Sequence, residues 1–124
     1  MATNITLTQG CTDGSDTFSN STTHACSTVV KLNETIATGV TDQEHVIGID
    51  ISALQVFYMV SDYAVTVQTN DGTTPDDTFT LVADQPVVFE TGGTNPFSAD
   101  VTKIYVTNAS GSTATLKIIA GQNQ

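Results

Sequence analysis

Four side chains of metal-ligand type fall in the first half of the chain: Cys11, His24, Cys26 and His45. Thiolate and imidazole are zinc donors, and the spacing His24-x-Cys26 would set both on one side of a strand. The remaining spacings match no finger or ribbon pattern. Cys11 and Cys26 have a second reading, a disulfide closing a loop of about 15 residues and adding about 3 kcal/mol in the chain-entropy picture. Their third reading is two reduced thiols, the usual state in a cytoplasm. Nucleophilic catalysis by a cysteine needs a positioned base and oxyanion donors, which no spacing here supplies. Two acid-rich stretches, Asp13 with Asp16 and Asp71 with Asp76 and Asp77, offer the oxygen ligands calcium takes, but not at EF-hand spacing. Aspartate is equally a turn former. A paired-carboxylate glycosidase would need a cleft and a sugar platform, and the chain has no tryptophan. Gly92-Gly93-Thr94 lacks the lysine and following helix of a phosphate loop. The reading is therefore a non-enzyme with no metal or cofactor.

Charge narrows the partners. Thirteen acids against three lysines (Lys31, Lys103, Lys117) and no arginine give a net charge of −10. A phosphate backbone needs cations to displace its counterions, so nucleic acid is excluded as a direct partner, and an anionic membrane surface with it. Threonine is the compositional outlier at 23 residues, joined by nine serines. It is β-branched, which suits a pleated strand, and its hydroxyl suits a wet face. The start MATNITLTQG has neither a basic nor an apolar run, so the expectation is synthesis and folding in a cytoplasm. Four asparagines (Asn4, Asn20, Asn33, Asn108) match the glycosylation sequon, a match that serine and threonine abundance makes frequent.

These residues must be carried by strands. Ile104 and Val106, then Ala114, Leu116 and Ile118, alternate with polar neighbours on either side of Asn108–Ser112, which reads as a terminal β-hairpin. Val30 and Leu32, Ile47 and Ile49, Val65 and Val67, and Phe79 and Leu81 give further period-two segments. Ile36, Thr38 and Val40 read as another short strand, and Phe97 as an anchor tucked back from a loop. Residues 9–24 are small and polar and read as a long exposed loop. The sum is one domain over 1–124, an all-β antiparallel sandwich or jelly roll of about eight or nine short strands, with 1–25 as an extended arm and long loop.

Leu54–Val60 departs from simple alternation. Leu54, Val56, Tyr58 and Val60 share one side, yet Phe57 and Met59 are apolar on the other. Such a strand is covered on both faces. Phe57 and Met59, with Ile5 and Leu7 of the first strand, are thus the interface candidates, and the cover is either the chain's own arm or another subunit.

Ile49-Asp50-Ile51-Ser52-Ala53-Leu54, then Ser61–Val67 with its Asn70-centred loop, Thr80–Pro86, Asn95-Pro96-Phe97, and Asp100–Asn108 with Ala114–Ala120 span more than half of the chain. In these segments it resembles the small β-sandwich virion proteins of tailed bacteriophages. The resemblance implies a structural role, a decoration or cement protein on the capsid that contacts the major capsid protein or other virion proteins. It also implies a homo-oligomer, with a trimer as one form, located in the virion. No catalytic residue carries over. The alternative is a tail-associated or surface module that binds a receptor or carbohydrate through loops 70–77 and 91–97.

Overall fold

The computed structural model describes residues 3–124; Met1 and Ala2, within the expected arm, lie outside the described residues. Ten strands form three antiparallel sheets. They are β1 (Thr3–Thr12), β2 (Thr17–Cys26), β3 (Thr28–Ile36), β4 (Gln43–Ile49), β5 (Leu54–Ser61), β6 (Val65–Thr69), β7 (Thr78–Leu81), β8 (Val87–Glu90), β9 (Val101–Thr107) and β10 (Ala114–Gln122). One sheet runs β3-β10-β5-β8 and the other β4-β9-β6-β7. The chain crosses between the two sheets at every connection from β3 to β10 except β6–β7, which is the strand order of an eight-stranded jelly roll. The expected all-β sandwich is what forms, with β1 and β2 as an added two-stranded sheet.

The core lies between the four-stranded sheets and is built from the period-two positions: Ile47 and Ile49, Val65 and Val67, Ile104 and Val106, and Leu116 and Ile118 are all buried. Phe97 folds back from its loop as expected. Its ring meets Phe57 edge-on at 4.9 Å and Phe79 at 5.4 Å, a geometry that aligns ring edges with ring faces.

Four expectations are corrected. The terminal segments are not a hairpin, because β9 and β10 belong to opposite sheets and face each other across the core. The segment containing Thr38 and Val40 is not a strand. β3 ends at Ile36, and the chain turns at Gly39, where φ is +81°. Residues 9–24 are not a loop but most of the β1–β2 hairpin. Finally, Phe57 and Met59 point into the core, each only 1% exposed, so neither is an interface residue. A register shift explains the last reversal. Gly121 pairs with Val56 and Gln122 with Leu54, leaving Gln55 as an extra residue. The bulge puts Leu54 and Phe57 on one face although they are three apart, and turns Val56 and Tyr58 outward.

Candidate assembly interface

The outward face of β5 is covered, and the cover is the chain's own arm. Antiparallel register from Thr3↔Cys26 to Thr12↔Thr17 sorts the arm's side chains into two faces. One carries hydroxyls that bond across the ribbon: Thr6 with Thr23 at 3.1 Å, Thr8 with Ser21 at 2.9 Å and Thr12 with Thr17 at 3.0 Å. The other carries Ile5, Leu7 and Cys26, which pack on Val29, Val56, Tyr58 and Val88 of the β3-β10-β5-β8 sheet. Ile5 and Leu7, interface candidates in the sequence, meet a surface of their own chain. At the tip, Asp13 Oδ1 accepts hydrogen bonds from the Asp16 and Ser15 amides. These hold its carboxyl below the ordinary range. Gly14 takes the left-handed φ of +101° that the turn needs.

Two features fix the arm to the body. Gly121 is the point of closest approach. A Cβ there would lie 2.6 Å from both Cys26 Sγ and Ile5 Cδ1, and 2.9 Å from Val56 Cγ1. Gly121→Ala is therefore expected to unseat the arm at a cost of about 1–3 kcal/mol, the usual range for overpacking. Faster amide exchange in β1 and β2 than in the jelly roll would register it. The second feature is Glu90 on β8. His24 Nε2 lies 2.8 Å from Glu90 Oε1, and the Thr22 hydroxyl donates to the same oxygen.

These two hydrogen bonds, His24 first, hold the Glu90 carboxyl below its ordinary range. A lowered carboxylate pKa makes the clamp's contribution complete above the ordinary glutamate value and removes it as pH falls through the lowered one. Below about pH 4, exchange in the arm is expected to rise relative to the jelly roll. Glu90→Gln should show a loosened arm already at neutral pH and little further acid response.

Beyond Leu7 every residue from Thr8 to Thr23 is exposed, and Thr22 bonds the body through Glu90. Leu7 to the tip turn is six residues, about 20 Å of strand. Along the face that grips the body at its base, the distal arm presents Cys11 paired with Phe18, and Phe18 is 76% exposed. Beside β1 runs a groove of about 300 Å³ whose apolar lining is Ile5, Leu7, Val56, Tyr58 and Ile119. Phe18 is legible in the sequence as the one large apolar side chain of a polar stretch, whereas Ile119, Gly121 and Glu90 carry no signal without the register.

The candidate ligand sets do not assemble. Cys11 lies opposite Phe18 and Cys26 opposite Thr3, eight residues apart along β2 and so about 27 Å. An intrachain disulfide is ruled out, and both thiols are free. Burial raises the Cys26 thiol pKa. His45 is on β4 opposite Ile104, remote in register from the arm, and no cluster of three metal-ligating side chains occurs among the described residues. The acidic loops are turns. Asp71 accepts from the Thr73 and Thr74 amides, Asp76 from Asn70 Nδ2 at 2.7 Å, and Asp77 from the Ser98 amide at 2.8 Å. The last bond ties loop 70–77 to the end of loop 91–97. The Asn108 side chain is buried and donates internally, so that sequon cannot carry a glycan in the folded chain.

An eight-stranded jelly roll bearing a two-stranded arm is thus the class that fold and site define. No family model matches the chain, and no curated protein matches it. It is similar to a chain from the solved structure described as "Bacillus endospore appendages form a novel family of disulfide-linked pili", at 14% identity and a TM-score of 0.32, over 78% of this chain and 90% of that one. A likeness this weak carries no argument. No helix among the described residues is long and apolar enough to cross a membrane.

Proposed function

We propose that the chain is a non-enzymatic virion structural protein, a capsid decoration or cement protein that stabilises a phage head by contacts with neighbouring subunits. The observation that supports this reading best is the distal arm. An isolated two-stranded ribbon is marginal in water, yet this one extends from Gln9 to Ser21 with every residue exposed. Such an element has its use in reaching a neighbour. The sequence resemblance to virion β-sandwiches points the same way. A protein that binds only the assembled lattice stabilises it by mass action. Specific contacts need about 1,000 Å² of buried surface, which a small subunit meets by touching two or three neighbours.

The test is purification of particles followed by quantification of this chain. Near-stoichiometric copies relative to the major shell protein, and a lower disruption temperature for particles lacking it, are expected. Its absence from particles would overturn the proposal. A second reading, a tail-associated or surface binding module for a receptor or carbohydrate, draws on the Asp77–Ser98 bond that brings loops 70–77 and 91–97 together. A few copies per particle, or glycan-array binding by the isolated chain, would favour it.

A further inference from the structure

We propose that the arm tip of one copy docks on the outer face of the β3-β10-β5-β8 sheet of a second copy, with Phe18 seated at the groove beside Ile119. This deepens the assembly reading above and rests on it. Two surfaces of the molecule complement each other. The first is the tip, where exposed Phe18 is flanked by Asp13 and Asp16, the acids of an arm otherwise without carboxylates. The second is the part of the sheet face that the arm leaves open. There Lys31, Ile119 and Tyr58 form one row across β3, β10 and β5, with Lys117 and Val60 paired in the next row.

This face holds two of the three lysines in a chain of net charge −10. Lys103 pairs with Glu44 at 3.5 Å, whereas Lys31 and Lys117 form no ion pair among the described residues. Other acids border the face at both ends: at one end Glu90, opposite Val56 and already held by His24 and Thr22, and at the other Asp62 and Asp84. Asp62 accepts from the Thr115 amide at 2.7 Å, and Asp84 lies near Lys117. An apolar groove with unpaired cations beside it fits an aromatic anchor with anions beside it, the pattern of a buried hot spot with a charged rim.

The occupant cannot be the same molecule's tip. Leu7 lines the groove, and Phe18 lies opposite Cys11, four residues and about 13 Å further out along the ribbon. While the base is seated, Phe18 is held away from its own Ile119. A second copy suffers no such constraint. Its approach is also electrostatically permitted, because outside the tip the arm is the long uncharged surface of a strongly acidic protein, and like-charge contact is disfavoured elsewhere. The contact joins different patches on the two partners. It either closes as a pair exchanging arms or propagates head to tail.

Sedimentation velocity on the full chain, up to the millimolar range and with a reductant present so that Cys11 adds no covalent dimer, tests this. Wild type is expected to form species larger than a monomer, in either a single closed step or a ladder. Phe18→Asp should weaken the association about tenfold or more while leaving the circular dichroism unchanged, since Phe18 supports no core. Lys31→Glu should weaken it and steepen no other transition, and adding Asp16→Lys on the partner should restore it. A wild-type chain that stays monomeric throughout, or variants that associate like wild type, would overturn the inference. If monomeric chain still co-purifies with particles, this contact fails and the virion role stands. If the chain self-associates but is absent from particles, the virion role fails and the contact stands.

Discussion

Phe57→Ala is expected to lower folding stability by about 3–5 kcal/mol, the cost of emptying a large aromatic site in a packed core. The ring is buried to 1% exposure and is the partner against which Phe97 closes its loop. Phe97 in turn holds Phe79 of β7. The loss therefore spreads from β5 to the loop after β8 and to a short edge strand. For a domain of this size the melting midpoint should fall by roughly 10–20 °C, and a urea titration should show a lower midpoint. The milder Phe57→Leu, studied where it remains folded, should leave any self-association as in wild type. That pairing separates a core residue from an interface residue, since an interface role would alter assembly without the melting shift.

The second large effect is at Asn108. Its side chain is buried and donates from Nδ2 to the Ile36 carbonyl at 2.9 Å and the Ser112 carbonyl at 2.8 Å, while Oδ1 accepts from the Ser110 amide and hydroxyl. Its backbone bonds Val40 and Gly39. One residue thus ties the end of β3, the following turn and the crossing from β9 to β10. Asn108→Ala strips a donor from the buried Ile36 carbonyl and another from the part-buried Ser112 carbonyl, at about 1–3 kcal/mol for a fully buried group. The net expectation is a loss of about 2–4 kcal/mol in urea unfolding, with exchange protection lost first at the ends of β3 and β9. Asn108→Asp should do at least as much harm, because it removes the same donors and buries a charge.

Alternation along β4, β6, β7, β9 and β10 is legible because each strand has one face on the core and one in water. The pairing of strands is less so. Ile104–Val106 and Ala114–Ile118 carry the same alternating signature whether they neighbour each other in one sheet or oppose each other across two, and a short connecting turn favours the first reading. What decides is Asn108, whose long-range bonds have no local mark in the sequence. The bulge at Gln55 is similarly silent, and it inverted the assignment of Phe57 and Met59. The expected arm over 1–25 is present, but its continuation as a paired ribbon through 9–24 is hidden for a different reason. Its ribbon is held by hydroxyl pairs in place of an apolar stripe, so a search for hydrophobic period finds only Ile5 and Leu7. Cys11 and Cys26 are joinable only across a flexible loop, and two straight strands set them apart.

Hydroxyl-to-hydroxyl bonds have no charge for salt to screen and no proton to lose between vinegar and lye. The ribbon's own reinforcement is thus indifferent to solution conditions that its moorings are not, since Glu90 yields in acid and any lysine–aspartate contact fades in brine. Three junctions that look inseparable at neutral pH, strand to strand, arm to body and tip to neighbour, should accordingly give way to three different chemical handles.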